Sequence, residues 1–257
     1  MTAARKPDDL AGNIILVTGA KGAIGNATVA SLAAAGATVV PTDIVGEGDV
    51  LAHDVTSLEA WQSVAAHIEQ RHGQLDGLVH NAGISFTKAF AQTSIEDWRK
   101  VQTINVESVV IGTQAMLPLL MTAGAKNSAG ASIVILSSIA GLRGSSMHAA
   151  YCASKGAVKL LAKSLANEFA DMKLGIRVNT VHPGPIEGAM MEHVASGFAQ
   201  ATGLDPEKVK TLIDSGNPMG RMGKPEEVAH AIQFLCSDGA AFITGTEISV
   251  DGGASSR

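Results

Sequence analysis

Tyr151 and Lys155 stand four residues apart in "YCASKGAV", at the head of a helical pattern. That spacing puts both side chains on one face of a helix. A phenol beside an ammonium group is a candidate proton acceptor. Free tyrosine ionises near pH ~10, and bringing it to about 7 takes ~4 kcal/mol at ~1.4 kcal/mol per unit. One ammonium at about 4 to 5 Å, in an effective dielectric of about 20, supplies roughly that amount. The pair is thus predicted to be a base that works near neutral pH.

A second stretch with chemical content is "LVTGAKGAIG", residues 16–25. Gly19, Gly22 and Gly25 are spaced GxxGxxG instead of the GxGxxG of dinucleotide loops. The loop follows a strand-like run and opens the helical pattern "NATVASLAAAG", which closes on Gly36. Glycines let a backbone approach phosphates closely, and a helix N-terminus offers free N–H groups and positive dipole. A plain tight turn would use the same glycines, so the loop alone decides nothing. Asp43 shifts the balance: it ends the second strand, 18 residues past Gly25, where an acid that binds the adenosine ribose would stand. Its carboxylate accepts from ribose hydroxyls and repels a 2′-phosphate, which predicts NAD over NADP. Lys21, basic and inside the loop, is the opposing signal.

Strand-like runs at 13–18, 37–43, 75–80, 131–137, 176–182 and 247–250 alternate with longer helical patterns. Such alternation predicts an α/β fold, a Rossmann-like doubly wound parallel sheet flanked by helices on both faces. The runs are apolar at nearly every residue, as strands covered on both faces must be. Ligands then bind beyond the carboxyl ends of the strands, where Asp43 and the glycine loop fall. Residues 187–217 break the alternation with a helical, Met- and Ala-rich stretch, read as a substrate lid over a single domain spanning 1–257.

Composition removes several classes of function. The net charge of −5, with no basic run, gives no surface for nucleic acid. The N-terminal "MTAARKPDDL" carries no apolar core to mark export, so a cytoplasmic protein is expected. Cys152 and Cys236 are too few for a disulfide framework. The apolar stretch 109–125 is interrupted by Gln114 and Pro118, and is read as a buried helix with no membrane role. His148, His182 and His193 have no ligand spacing on one helix face, so no metal is expected.

"TGAKGAIG", "HNAG", "YCASK" and "VHPG", in this order, resemble the short-chain dehydrogenase/reductase family over nearly the whole chain. The resemblance implies hydride transfer between a nicotinamide and an alcohol or ketone, with Tyr151 as base. It implies that Lys155 also holds the nicotinamide ribose, that Ser138 orients the substrate oxygen in preference to its neighbour Ser137, and that Asn105 bends a helix and sustains a proton relay. For cofactor binding it implies Gly19, Gly22, Ile24 and Gly25 in the loop, and Asp54 and Val55 at the adenine. It further implies Asn81, Ala82 and Gly83 after the fourth run, with Pro183, Gly184 and Ile186 near the carboxamide. His80 stands where the family more often has Asn, and is read as structural. Two positions depart from the pattern: Ala23 replaces the middle glycine of the loop, and Gly188 replaces a threonine that bonds the carboxamide.

The leading expectation is therefore an NAD-dependent dehydrogenase of a secondary alcohol, hydrophobic or cyclic and hydroxysteroid-like because Met190, Met191, Val194 and Phe198 are apolar. One alternative is an NADP-dependent 3-oxoacyl-(acyl-carrier-protein) reductase. Another, of a different class, is a non-catalytic nucleotide-sensing protein. The segment "KPEEVAHAIQFLC" and the strand after it resemble the family's subunit interface, which implies a homotetramer.

Overall fold

In the computed structural model, which describes residues 8–256, a parallel sheet carries the molecule. Most of the "MTAARKPDDL" stretch, on which no export signal was expected, lies outside the described residues. The strands are β1 (Ile14–Thr18), β2 (Thr38–Asp43), β3 (Leu51–Ala52), β4 (Gly77–His80), β5 (Ala131–Leu136), β6 (Ile176–Pro183) and β7 (Glu247–Val250). They pair in the order β3-β2-β1-β4-β5-β6-β7, every pair parallel. Six of the seven match the predicted runs. The seventh, β3, is two residues long, too short to show a period.

Side chains leave alternate faces of each strand, and this sorts the core into two layers. Leu16, Leu78, Ile133, Ile135 and Val178 face one way, onto α2 (Leu58–His72), α4 (Ser108–Lys126) and α5 (Ala149–Asp171). Ile15, Val17, Val79, Val134 and Val181 face the other way, onto α1 (Ala23–Ala34) and α8 (Pro225–Cys236). The helix α3 (Ile95–Gln102) runs into α4 through a π-helical turn, Thr103–Glu107. That continuous helix, 95–126, is long and apolar enough to cross a membrane, contrary to the reading of its apolar part as too interrupted. Its buried residues Met116, Leu119, Leu120 and Ala123 pack into the sheet layer, which makes it a core helix.

Sequence order reverses between β1 and β4, so the loops after these strands diverge and leave a crevice at the sheet's carboxyl edge. Two further helices, α6 (Ala189–Thr202) and α7 (Pro206–Gly216), fill the segment between β6 and α8 and stand at this edge.

Candidate active site

The crevice opens into a cavity of about 1070 Å³. Every residue predicted from the sequence to bind cofactor or substrate lines it, with Asn105 alone set behind the wall.

At one end the glycine loop is built for close backbone approach. Gly19 has φ +65°, and a Cβ there would lie 2.9 Å from the Ala82 Cα. A Cβ on Gly25 would come within 2.0 Å of the Gly19 carbonyl oxygen. These two glycines are therefore obligatory, while at Gly22, the N-cap of α1, a Cβ would only touch the Gly19 carbonyl oxygen at 3.4 Å. Asn81 braces the loop by donating from Nδ2 to the carbonyls of Thr18 and Gly19, each at 2.9 Å. The Thr18 hydroxyl accepts from the Asn81 and Ala82 amides, tying β4 to β1 at the crevice. A cradle that any side chain would fill, opening the N-terminus of α1, fits a pyrophosphate.

Asp43 lines the same end. Its carboxylate accepts from the Lys21 and Ile44 amides, both at 2.8 Å. The Lys21 ammonium turns to Glu47 at 2.7 Å and is thereby spoken for. Asp54 accepts from the Thr56 amide and hydroxyl, bonds that hold its carboxyl below the usual range. Val55, beside it, fixes the wall by accepting from the Trp61 indole N–H at 2.9 Å.

At the other end stand Ser138, Tyr151 and Lys155. Ser138 follows β5 and caps a short 3₁₀ turn, its hydroxyl accepting from the Ala140 amide at 3.1 Å. Burial raises the pKa of the Tyr151 phenol at this end of the cavity, and the nearby Ser138 hydroxyl offsets part of that rise. Both serines line the cavity, and Ser137 donates its hydroxyl to the Lys155 carbonyl at 2.9 Å. The Lys155 Nζ lies 5.6 Å from the Tyr151 ring centre and donates to the Leu136 carbonyl at 2.7 Å.

The electrostatics differ from the sequence expectation. Burial pushes the Tyr151 phenol up to about 12 and the Lys155 ammonium down to about 8. Loss of solvent disfavours both charged forms and is the largest cause of each shift. Lys155 still carries its proton at neutral pH, so positive charge remains under the phenol.

Asn105 sits in the π-helical turn, a local widening of the helix. Its amide accepts from the Ile84 N–H at 2.9 Å and donates to the Ile84 carbonyl and the Ser154 hydroxyl. It thereby fixes the loop after Gly83 against α5. A Cβ on Gly83 would meet both Asn105 Oδ1 at 3.2 Å and Lys155 Nζ at 3.5 Å, so the two groups share one small space.

Pro183, Gly184 and Ile186 form a turn pinned from both sides. The Gly184 amide donates to the Val250 carbonyl, and the Gly223 amide to the Pro185 carbonyl. Past it, Met191, Val194 and Phe198 of α6 and Leu212 of α7 give the cavity an apolar wall.

Three residues near the site escaped the sequence reading in these roles. His182 is fully buried and donates from Nδ1 to the Ser138 carbonyl at 2.9 Å, bracing the serine's backbone. His148 stacks on Phe198 with ring centres 5.6 Å apart and meets the Tyr151 ring edge-on at 6.4 Å. Thr87 touches both His148 and α6. Lone His and Thr residues far apart in sequence carry no spacing signal, so only the fold joins them. His80, read as structural, is buried against Thr113 at 3.1 Å, and burial holds its pKa down to about 3.

Among known proteins, a family model described as enoyl-(acyl carrier protein) reductase matches residues 19–255. The chain is 36% identical to the 3-oxoacyl-(acyl-carrier-protein) reductase FabG of Thermotoga maritima, covering 95% of this chain and 98% of that one. The chain belongs to the short-chain dehydrogenase/reductase family. Other family members are similarly near: an NADP-dependent (R)-specific alcohol dehydrogenase of Lentilactobacillus kefiri is 34% identical over 96% of this chain and 98% of its own. The cyclopentanol dehydrogenase of Comamonas testosteroni is 36% identical over 93% and 96%. The ligand-free aldohexose dehydrogenase of Thermoplasma acidophilum superposes with a TM-score of 0.87 at 31% identity, covering 98% of this chain and 97% of that one. Membership makes this chain a nicotinamide-dependent oxidoreductase, and the relatives support secondary alcohols as its substrate class.

Proposed function

We propose that this family member is an NAD-dependent dehydrogenase interconverting a secondary alcohol, borne on a ring or another apolar frame, with its ketone. The observation that carries the reading is the gathering of Ser138, Tyr151 and Lys155 at one end of a cavity, with the Lys155 Nζ 5.6 Å from the Tyr151 ring centre, while the other end presents Asp43. When bound, the nicotinamide ring supplies the hydride acceptor for oxidation and the donor for the reverse. Ser138 Oγ holds the substrate oxygen beside the phenol. Tyr151 Oη takes the hydroxyl proton in oxidation and returns it in reduction. Lys155 Nζ, fixed by the Leu136 carbonyl, keeps a positive charge under the ring and so stabilises the phenolate that forms.

The choice of NAD is supported by the presence of the Asp43 carboxylate in the cavity wall and by the pairing of Lys21 with Glu47, which cancels the one basic side chain in the loop. The same pairing disfavours the acyl-carrier-protein reductase reading in so far as that activity draws on NADP. A ring-shaped substrate is supported by the apolar wall from α6 and α7, which we assign as a lid. Exposed Leu160 on α5, Phe234 on α8 and Phe242 before β7 support a homotetramer. Two unpaired cysteines suit a cytoplasmic location.

The test is direct. Purified protein is mixed with NAD or NADP and with cyclopentanol, cyclohexanol or 2,3-butanediol, and the absorbance of reduced nicotinamide is followed. Turnover with NAD on a cyclic alcohol is the expected result. No turnover with either cofactor across the panel, in both directions, overturns the reading.

A further inference from the structure

The helix α6 supplies much of the cavity's apolar wall yet is thinly anchored, Ala199 being its one buried residue. Where it meets the loop after β4, the contact is close and polar. The Thr87 hydroxyl lies 3.4 Å from the Val194 carbonyl of α6 and 3.2 Å from His148 Nε2. A Cβ on Gly197 would come to 2.8 Å from the Thr87 Cβ, so the helix reaches Thr87 because that position is glycine. His148 is itself held: Nδ1 lies 2.9 Å from the Ser146 carbonyl, which can only accept, so Nδ1 carries the proton. In the tautomer with the proton on Nδ1, Nε2 is an acceptor. The Thr87 hydroxyl thus lies between two partners, and both distances are at the long end for a hydroxyl.

The neighbouring backbone is built to hold this arrangement. Met147, just before His148, has φ +65°, a conformation rare for a side chain of its kind. Its carbonyl accepts from the Lys88 amide at 2.9 Å, one residue from Thr87. The loop 84–89, the loop before α5 and the helix α6 are thus joined at one hydroxyl. That junction lies beside Tyr151, through the His148 ring, and beside Phe198, on which the same ring stacks.

We propose that Thr87 is a positioning residue for the substrate: its hydroxyl clasps α6 to His148 and so sets the distance of the Val194 and Phe198 wall from the Tyr151 phenol. It touches neither cofactor nor reacting atoms. Its loss loosens the grip on the alcohol and leaves the cofactor loop as it was. The inference rests on the alcohol dehydrogenase reading above, and one arm of its test is independent of turnover.

Thr87→Val keeps the shape and removes the hydroxyl; Thr87→Ser keeps the hydroxyl and trims a methyl. Amide hydrogen exchange across 189–202 is measured for both beside the parent protein, together with NADH affinity by fluorescence. KM and kcat are measured with NAD and whichever of cyclopentanol, cyclohexanol or 2,3-butanediol the parent oxidises. Thr87→Val is expected to speed exchange in α6 and raise KM about fivefold, the scale of one neutral hydrogen bond, with kcat and NADH affinity little changed. Thr87→Ser is expected to restore both readouts. Unchanged exchange in Thr87→Val, or a Thr87→Ser protein that behaves as Thr87→Val, overturns the proposal. If the parent oxidises nothing, the dehydrogenase reading fails and the exchange data alone decide the clasp.

Discussion

The methyl group of Ala23 occupies the space that a side chain on Gly188 would need: a Cβ at 188 would lie 2.7 Å from the Ala23 Cβ. Ala23 begins α1 in the glycine loop, and Gly188, at φ +137°, precedes α6. In the sequence these were two separate departures from the family pattern. In the fold they are one contact, in which a methyl at one position goes with the absence of a side chain at the other. The cofactor loop and the start of the α6 wall thus touch across the cavity.

This contact can be tested by a double-mutant cycle. Gly188→Ala is expected to raise the NADH dissociation constant and lower stability by about 1–3 kcal/mol, through overlap with Ala23 and the unfavourable φ. Adding Ala23→Gly should recover the share due to overlap and leave the share due to φ. A double variant no better than Gly188→Ala alone in thermal and NADH titrations would show that the two positions are independent.

The catalytic cluster makes a prediction about pH. Tyr151→Phe should abolish turnover by at least ~10³-fold while sparing NADH binding, because it removes the proton carrier and little else. In the parent enzyme, ketone reduction should fall as pH rises through about 8, where Lys155 loses its proton. With that charge gone, a phenol at about 12 yields its proton poorly. Steady-state reduction from pH 6 to 10 checks this. A flat profile across pH 8, with chemistry shown to be rate-limiting, would disprove the role of Lys155.

Much of this site could be read from local sequence. Strand-end residues such as Asp43 and Ser138, and the Tyr151–Lys155 spacing, are set by short-range rules, and their placement around one cavity agrees with them. Burial energetics were not readable. The phenol's position at about 12 arises from the layers packed over it, which no spacing reveals. His182, His148 and Thr87 escaped for a related reason: their partners lie 44 to 107 residues away, at Ser138, Thr87 and Val194. The strand β3 was missed because two residues cannot display a period.

Cofactor choice should turn on two carboxylates with different tasks. Asp43→Ala is expected to narrow the proposed preference for NAD, since on that proposal it removes the group that accepts from the ribose and repels a 2′-phosphate. Glu47→Gln should act in the same direction by a separate route. It breaks the 2.7 Å pair and frees the Lys21 ammonium for a phosphate. The pair is solvent-exposed, so the gain in NADP affinity should be a few-fold and should shrink in high salt. If Glu47→Gln leaves the NADP to NAD ratio of kcat/KM unchanged at low salt, Lys21 does not reach that site.

Acid should destabilise the fold through two buried histidines on the α2 and α4 side of the sheet. His53 packs edge-on to Trp61 at 4.3 Å with its Nε2 unpartnered, and Trp61 in turn meets His80 at 5.8 Å. Burial lowers His53 to about 4 and His80 to about 3, from an ordinary value of 6.5. Between those limits the unfolded chain binds protons that the native protein refuses, so stability declines as pH falls below about 6.5. At pH 5 each histidine accounts for about 2 kcal/mol at ~1.4 kcal/mol per unit. The decline should level off for His53 below about 4 and for His80 below about 3, where the native state also takes the proton. Urea unfolding at pH 7 and pH 5 measures the loss, and His80→Asn, which keeps a polar partner for Thr113, should remove about half of it. An unaltered pH dependence in His80→Asn would assign the acid sensitivity to other groups.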